Sequence, residues 1–428
     1  MAKRETFVHR KTTAQLSQHR ASAARVRGAL RFVLPLSFSL ALALTHSAFG
    51  AAAPISSDLE SSVNPPTGTS ALQRLDAAFK LIRDAVSKGE VPGAIALVAH
   101  HGRIVRHEAF GFSDPERRVP FRTNTLCWIA SVTKPVTAAA AMTLVDEGKL
   151  SLDDPVEKHL PEFYEQTDTN GVHYPITVRH LMTHTAGIVN DPPTRPRGVW
   201  AIGGALENAW LTETNHEGIV RAIAQSRLLF KPGSQVKYSS AAMFVLGRVM
   251  EVVSGKPYAQ LVKERILDPL GLKESCFAPP ASAAERVSAV FMESQGKREA
   301  IFRFNPELKI SNAGPDGGLF SYPEELAKFL QLFLDNDGKV LSPSAVRAML
   351  KKQAPGWGLG WALEDGCFHH GGSSGTEVFA DPKTGTIGIL FLQFSERKGR
   401  QVRLAQDFRH AVCAAFEPSG AEAADRQR

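Results

Sequence analysis

Segments with the pattern of β-strands lie near both ends of this chain, and a long helical stretch separates them. The segment "GAIALVAHHGRIVRHEAFG", which starts at Gly93, predicts two strands around a turn at Gly102. "CFHHGG", "TEVFAD" and "TIGILFLQF" predict further strands from Cys367 onwards, whereas helical patterns and Pro/Gly loops dominate between about 150 and 300. Strands from both ends can form one sheet with helices packed on it and an α-rich insertion. The expected fold class is therefore α+β.

The basic charge of the chain is concentrated in a leader. The formal net charge is +7, but residues 1–50 hold eight Lys or Arg and one acid, so the rest is electrically balanced. The charge therefore gives no support for nucleic-acid binding. An uncharged run, "FVLPLSFSLALAL", follows Arg31, and the small residues Ala48 and Gly50 precede a cleavage point before Ala51. We expect a signal peptide and a periplasmic or secreted protein; an uncleaved leader would instead anchor the chain in a membrane.

Composition predicts the limits of the folded domain. A polar, Pro/Ser-rich linker follows the leader, and a solvated tail ends the chain. A closing helix precedes that tail, and no internal repeat is found. The expected boundaries are 51–70 for the linker, 71–416 for the domain and 417–428 for a disordered tail, with a sheet lobe at about 71–130 and 300–416 and a helical lobe at about 131–299.

Neither the cysteines nor the histidines have the spacing of a metal site. His180 and His184 in "HLMTH" would share one helical face, but Leu181 stands where a zinc peptidase needs its glutamate. We interpret both as structural histidines and expect no metal and no cofactor. The four cysteines are widely spaced and are interpreted mostly as small buried residues, with any pairing left open: Cys127, Cys276, Cys367 and Cys413.

The segment "WIASVTKPVTAAAAMTLVDEG" offers a serine and a lysine at the start of an apolar helix, predicted from Ser131 to Glu147. Side chains at positions i and i+3 lie one above the other, so the amine of Lys134 can approach the Ser131 hydroxyl. A serine is a poor nucleophile unless a neighbouring base takes its proton. The positive field of a helix N-terminus also favours the developing alkoxide. Of four Ser-x-x-Lys matches in the chain, this is the one that opens a long apolar helix.

A second motif lies in "KYSSAAMFVLG", where Ser240 follows Tyr238 by two residues. A phenol beside a lysine can relay a proton to a leaving group. A small polar residue two positions later can hold the substrate or Lys134. The alternative interpretation is a loop tyrosine at the start of the next helix.

With these motifs the chain resembles the serine β-lactamase and penicillin-binding-protein superfamily, specifically its class C β-lactamase-related branch of hydrolases. The resemblance runs from about Ala71 to Phe416 and includes "SVTKP", "ITVRHLMTHTAGI" and "AGPDGGLFSYPEELAKF". It implies a β-lactamase-like fold, with an antiparallel sheet formed from both chain ends. It also implies that Ser131 is the acylated nucleophile, Lys134 its base and Tyr238 the proton shuttle. Many relatives have asparagine where this chain has Ser240, whose side chain is shorter.

The third family element must come from "HHGGSSGTEVFADPKTG", and three hypotheses compete for it. "GGSSG" matches the nucleophile elbow of α/β-hydrolases at Ser373, but an elbow leads from a strand into a helix, and here a strand follows. "KTG" at Lys383 matches the family's spelling, yet "DPKTG" has the composition of a turn between strands. The resemblance favours His370, Gly371 and Gly372, because this element lies on an edge strand followed by a strand, a turn and another strand.

The resemblance assigns roles around this element. His370, Gly371 and Gly372 would bind substrate as a neighbouring strand, and the amides of Ser131 and Ser373 would form the oxyanion hole. Losing one such donor can cost about 3 kcal/mol of transition-state stabilisation. A lysine would suit a substrate carboxylate, whereas a neutral histidine would offer a donor without fixed charge.

The sequence therefore predicts a serine hydrolase that works through an acyl-enzyme on a small-molecule or short peptide substrate. Esters and D-amino-acid amides or peptides are favoured over β-lactams. The alternative is a non-catalytic, penicillin-binding-like protein that binds peptides or acts as a scaffold. Two loops are expected to frame the pocket, with Trp200 or Trp210 lining it or packing beneath a lid.

Overall fold

The computed structural model describes residues 69–190, 216–307, 313–396 and 399–417. The expected signal peptide (1–50), the linker up to residue 68, Trp200, Trp210 and the tail after residue 417 lie outside the described residues. Within the described ranges, no helix combines the length and apolar character that a membrane span needs.

The strands form one large antiparallel sheet, a three-stranded sheet and a two-stranded one. In chain order they are β1 (Gly93–His100), β2 (Arg103–Asp114), β3 (Val119–Pro120), β4 (Cys127–Trp128), β5 (Val290–Ser294), β6 (Lys297–Phe302), β7 (Phe320–Ser321), β8 (Ala362–Glu364), β9 (Cys367–Gly372), β10 (Thr376–Asp381), β11 (Thr386–Phe391) and β12 (Phe394–Glu396). The seven-stranded sheet has the order β3-β2-β1-β11-β10-β9-β8, so strands from the two chain ends meet at β1 and β11.

Some of the helices pack on the two faces of this sheet, and others form a separate helical lobe. In chain order they are α1 (Thr69–Ser87), α2 (Thr133–Asp146), α3 (Val178–Met182), α4 (His216–Ala224), α5 (Ala241–Ser254), α6 (Tyr258–Val262), α7 (Pro323–Asp335), α8 (Pro343–Leu350) and α9 (Arg400–Phe416). Short 3₁₀ or π turns connect them at Ala130–Val132, Val156–Lys158, Pro161–Glu165, Lys263–Leu267 and Ala281–Arg286.

The central strands are buried on both faces, and their side chains divide between two cores. Ala94, Ala96 and Val98 of β1 pack in the core formed with α1 and α9. The alternate residues Ile95 and Leu97 belong to the larger core shared with α7 and the helical lobe. This division follows from the two-residue period of a strand. It also explains why β1 is apolar throughout instead of alternating with polar residues.

The hairpin of β5 and β6 departs from the expected lobe boundary. Strand structure starts at Val290, within the range 131–299 expected for the helical lobe. β5 pairs in parallel with β12, which follows the last strand of the large sheet. The hairpin is therefore attached to the sheet side of the molecule, and the helical lobe ends before it.

Two small features determine where α2 begins. β4 pairs with β7, which joins Trp128 to Phe320. The chain then makes the turn Ala130–Val132 before α2 starts at Thr133, so Ser131 lies in a 3₁₀ turn and not within the predicted α-helix.

Inside α2, the run from Ala138 to Ala141 is fully buried. Such small side chains allow α5 to pack closely against α2.

Trp361, just before β8, is a central residue of the larger core, and its substitution tests the packing there. Its side chain is 0% exposed, and its ring centroid lies 4.9 Å from that of Phe368 and 5.3 Å from that of Phe333. We expect Trp361→Ala to lower the free energy of unfolding by about 3–5 kcal/mol, since it leaves a large cavity. Tyr164→Ala, at a residue 61% exposed, should change it by less than about 0.5 kcal/mol. Urea denaturation measures both, and equal losses would contradict this packing.

Candidate active site

The Ser131 hydroxyl lies beside a fully buried amine. Nζ of Lys134 donates a hydrogen bond to Oγ of Ser131 at 2.9 Å, and Lys134 is 0% exposed while Ser131 is partly exposed. The same amine donates to the carbonyl oxygen of Asp316 at 2.6 Å. Nζ also lies 4.9 Å from the ring centroid of Tyr238. The structure thus brings together the serine and lysine of one sequence segment and the tyrosine of another.

The turn that carries Ser131 has an unusual backbone. Ala130 has φ +47°, in the left-handed region that a non-glycine residue seldom adopts. Such conformations persist only where surrounding contacts hold them, and they concentrate at functional sites. Here the amide of Ile129 donates to the carbonyl of Leu319 at 3.0 Å, and Oγ1 of Thr133 donates to the carbonyl of Ala130 at 2.7 Å. These contacts fix the direction in which Ser131 leaves the turn.

The turn after β9 is bonded to the segment before Ser131. Oγ of Ser374 donates to the carbonyl of Trp128 at 2.8 Å, and Oγ1 of Thr376 donates to the carbonyl of Ile129 at 3.0 Å. Gly372 lies so close that an added Cβ would be 2.6 Å from the Ile129 carbonyl oxygen and 2.1 Å from Oγ1 of Thr376. A residue with a side chain does not fit there. The end of β9 therefore faces the Ser131 turn.

β9 is not the edge strand that the resemblance implied, because β8 lies outside it. β8 is only three residues long, however, and pairs with Cys367, Phe368 and His369. The stretch from His370 to Gly372 extends past the end of β8, so it has a strand neighbour on one side, β10. Because β8 is short, the residues from His370 to Gly372 form a local edge of the sheet.

Two backbone amides, those of Ser131 and Ser373, have no protein acceptor among the described residues. Ser131 lies in the first turn of its 3₁₀ helix, where an amide has no acceptor one turn earlier. Ser373 follows β9 directly, and across the described ranges its amide donates to no protein acceptor. Both amides are therefore available as donors. Lys383, by contrast, lies in the turn between β10 and β11, where Oδ1 of Asp381 accepts from its amide at 2.8 Å.

The imidazole of His370 is buried and neutral. It is 3% exposed, and burial, together with the charge of Lys134, lowers its pKa well below the ordinary value. Nδ1 lies 2.8 Å from the carbonyl oxygen of Gly371, which can only accept, so Nδ1 carries the proton. Nε2 is then an acceptor, and it has no partner among the described residues. The prediction that His370 offers a hydrogen-bond donor to the substrate is therefore wrong, because the free nitrogen of His370 is an acceptor.

Ser240 lies at the start of α5 and is 8% exposed. Its amide donates to Oδ1 of Asn190 at 2.8 Å, and the amide of Ala241 donates to the same oxygen at 3.2 Å. Asn190 thus caps α5 from a distant loop, a role that the sequence did not predict. With Oδ1 held by two amides, the nitrogen of this side chain points away from the helix. Nothing in the local sequence marks that role.

Tyr238 belongs to a cluster of four rings. The phenol is 41% exposed, and its ring centroid lies 4.4 Å from that of His184, 5.9 Å from that of Trp357 and 6.2 Å from that of His370. Trp357 also lies 4.4 Å from His184 and 5.9 Å from His370. We call these four residues the ring cluster. Sequence reasoning identified two of its members for this site and missed His184 and Trp357.

The two histidines of "HLMTH" do not share a helical face. α3 ends at Met182, and His184 has φ +57°, beyond the helix. Nδ1 of His180 accepts from the amide of Thr177 in a capping box, whereas Nδ1 of His184 accepts from the amide of Ser239. In the part of the chain that the structure describes, no group of three or more His, Cys, Asp or Glu is arranged to hold a metal ion.

A cavity of about 360 Å³ opens beside the end of β9. Its lining combines the exposed backbone of Gly371, Gly372 and Ser373 with side chains of α9, including Val402 and Gln406. It lies on the face of β9 opposite His370. Ser131, Lys134 and Tyr238 are not among its lining residues.

A family model described as Beta-lactamase matches residues 78–411 of the chain. Esterase EstB from Burkholderia gladioli is 30% identical over 388 residues, which cover 80% of this chain and 95% of that protein. The D-alanyl-D-alanine-carboxypeptidase/endopeptidase AmpH from Escherichia coli (strain K12) is 27% identical over 323 residues, covering 72% of this chain and 74% of that one.

Solved structures have the same fold. EstCE1, described as a hydrolase with promiscuous acyltransferase activity, superposes with a TM-score of 0.68 at 25% identity, covering 80% of this chain and 98% of that one. A penicillin-binding protein homologue from Pyrococcus abyssi gives a TM-score of 0.65 at 25% identity, with 82% of this chain and 78% of that one covered. The expected α+β fold of this type is confirmed.

The buried histidines predict a dependence of stability on pH. Burial and the charge of Lys134 lower the pKa of His184 from 6.5 to about 3, so the unfolded chain binds a proton in this interval that the folded chain does not. The free energy of unfolding should therefore fall as the pH drops from 6.5 towards 3, by up to about 1.4 kcal/mol per pH unit for this residue. Urea denaturation across this range should show a shallower fall for His184→Asn. An unchanged slope would contradict a buried neutral imidazole.

Proposed function

Because this chain belongs to the beta-lactamase family, as its motifs predicted, we propose that it is a serine hydrolase whose acyl-enzyme forms on Ser131. The observation that carries the proposal is the 2.9 Å contact between Nζ of Lys134 and Oγ of Ser131. In this role Lys134 accepts the serine proton across this contact while Oγ attacks the substrate carbonyl. Water then attacks the acyl-enzyme and releases the acid product.

The proposed oxyanion hole consists of the amides of Ser131 and Ser373. Negative charge develops on the carbonyl oxygen in the tetrahedral intermediate, and preorganised amides stabilise it there more than in the ground state. Support comes from the bonds that tie Ser374 and Thr376 to the backbone before Ser131. Those bonds connect the turn that carries Ser373 to the backbone just before Ser131, and so limit movement of one relative to the other.

Tyr238 is the proposed proton shuttle to the leaving group. Its ring lies over the Lys134 amine, with 4.9 Å between Nζ and the ring centroid, and its exposed fraction of 41% leaves the phenol accessible from the cleft. A general acid must reach both its proton source and the departing atom. The position of the ring, beside the buried amine and partly exposed, supports this role.

The proposed substrates are esters and D-amino-acid amides or peptides, in preference to β-lactams. His370 is neutral, so the third element offers no fixed positive charge for the carboxylate that a penicillin carries. The names of two relatives, an esterase and a D-alanyl-D-alanine carboxypeptidase, support the same classes.

A non-catalytic, peptide-binding protein is the second candidate, and the intact Ser131–Lys134 contact argues against it.

We expect the wild-type chain to gain the mass of one fluorophosphonate adduct, and Ser131→Ala to gain none while losing at least about 10³-fold in kcat. Ser373→Ala is the matched control and should still be labelled, because it removes a side chain and keeps the amide. Intact-protein mass spectrometry measures the adduct. Labelling that persists in folded Ser131→Ala would refute the proposed nucleophile.

A substrate panel tests the proposed class. We expect higher kcat/KM for p-nitrophenyl esters or D-alanyl amides than for nitrocefin, since no lysine occupies position 370 to bind the β-lactam carboxylate. Initial rates at fixed enzyme concentration, corrected with Ser131→Ala as a blank, provide the comparison. If nitrocefin were the best substrate of the panel, the reasoning from the neutral histidine would fail.

A further inference from the structure

We infer that His184 is a positioning residue for Tyr238, an inference that rests on the proposed role of Tyr238 as proton shuttle. The backbone on both sides of the tyrosine is bonded to this one histidine. The amide of Lys237 donates to the carbonyl oxygen of His184 at 2.8 Å, and the amide of Ser239 donates to its Nδ1 at 3.3 Å. Tyr238 is thus the middle residue of a three-residue segment that His184 holds at both ends.

The imidazole also supports the phenol ring directly. The His184 and Tyr238 ring centroids lie 4.4 Å apart with an interplanar angle of 39°, and Trp357 contacts the imidazole edge-on, at 4.4 Å and 84°. Trp357 also lies 5.9 Å from Tyr238, so the three rings contact one another. His184 is 1% exposed whereas Tyr238 is 41% exposed. The buried imidazole therefore packs against the exposed phenol and limits the positions that the phenol can take.

The backbone of His184 adopts a conformation that local propensity does not favour. Its φ of +57° lies in the left-handed region, and neighbouring bonds hold it there. The amide of Thr185 donates to the carbonyl of His180 at 3.0 Å, and the amide of Gly233 donates to the carbonyl of Thr185 at 2.8 Å. A strained residue that is fixed by its surroundings and touches a candidate catalytic group has the features of a preorganised site.

The protonation state of His184 agrees with this role. Nδ1 accepts from a backbone amide, so the proton of the neutral ring lies on Nε2. Burial and the charge of Lys134 lower the pKa to about 3, which keeps the ring neutral near pH 7. An imidazolium would lose the acceptor at Nδ1 and place a second positive charge near Lys134. The neutral ring can hold the Ser239 amide throughout the catalytic cycle.

A double-mutant cycle tests whether His184 acts through Tyr238. We expect His184→Ala to lower kcat per titrated site about 10- to 100-fold in the wild-type background. In the Tyr238→Phe background, His184→Ala should have little further effect, because the group that it positions has lost its hydroxyl. Burst amplitude or fluorophosphonate labelling gives the number of active sites, so loss of folded protein does not enter kcat. Equal factors in both backgrounds would overturn the inference.

Two further variants separate positioning from folding. Asparagine tolerates a left-handed backbone, and its Oδ1 can accept in place of Nδ1, so His184→Asn should recover part of the kcat lost in His184→Ala. His180→Asn, the matched control in the same segment, should leave kcat per titrated site unchanged. No recovery in a folded His184→Asn variant would count against the inference. Unchanged kcat in Tyr238→Phe alone would instead refute the proposed shuttle, and the inference would fall with it.

A second inference, independent of the catalytic proposal, concerns two cysteines. We propose that Cys367 and Cys413 form a disulfide in an oxidising compartment. Their Sγ atoms lie 3.6 Å apart as free thiols, one at the first residue of β9 and the other on α9. A small change of side-chain torsion brings such a pair to bonding distance. The bond would tie α9 to the strand that ends at Gly372.

The reaction is a thiol–disulfide exchange with a disulfide oxidant. A hydrogen bond from the Cys413 thiol lowers the pKa of the Cys367 thiol, so Cys367 ionises first and attacks the oxidant. Cys413 then displaces the oxidant's second sulfur from the mixed disulfide. One S–S bond forms, both protein thiols lose their protons, and the oxidant is reduced to two thiols.

Oxidised glutathione provides the test on the purified chain. We expect the protein to become lighter by two hydrogens, to lose two alkylatable thiols on denaturation and to gain in Tm, with dithiothreitol reversing all three changes. Cys413→Ser should prevent them, and Cys276→Ser is the matched control that should not. Peptide mapping should find Cys367 linked to Cys413. Four alkylatable cysteines after oxidation, or a mixed disulfide with glutathione that persists at either residue, would refute the proposal.

Discussion

The hydrogen bond between the buried amine of Lys134 and the hydroxyl of Ser131 is the contact on which the candidate site depends. A fully buried lysine requires partners, and the structure supplies a serine hydroxyl, the Asp316 carbonyl and the face of an aromatic ring. Each partner comes from a different segment. The alanine-rich packing of α2, the strained turn at Ala130 and the loop that carries Tyr238 can all be understood as means of holding this amine and its partners in register.

Two neutral imidazoles lie near the Lys134 amine. His184 and His370 both lie near Lys134, and for both, burial and the lysine charge lower the pKa. Because both rings are neutral, neither His184 nor His370 places a second positive charge beside Lys134. One imidazole holds the backbone around Tyr238, and the other turns its free acceptor nitrogen into the buried side of the site. The lack of a fixed positive charge on these two rings is the basis for proposing esters and amides ahead of β-lactams as substrates.

The sequence predicted the fold class well because its signals are local. The apolar strands at Gly93 and Thr386, the helix after Ser131 and the turn at Lys383 each follow from a short pattern of residues. The sequence did not predict that Ser131 lies in a 3₁₀ turn, since the pairing of Trp128 with Phe320 sets that turn. The roles of His184, Trp357 and Asn190 arise from contacts between distant segments, which no short pattern encodes. The tautomer of His370 likewise depends on a carbonyl position that only the folded strand fixes.

The central claim is that the substrate acyl group is transferred to Ser131. Acid quenching during turnover of a slowly deacylated p-nitrophenyl ester, followed by proteolysis and mass spectrometry, reveals where the acyl group resides. The account predicts an acylated peptide with the modification on Ser131, in an amount that matches the burst of p-nitrophenolate. Turnover with the acyl group on Ser373, or with no acylated peptide at all, would contradict it.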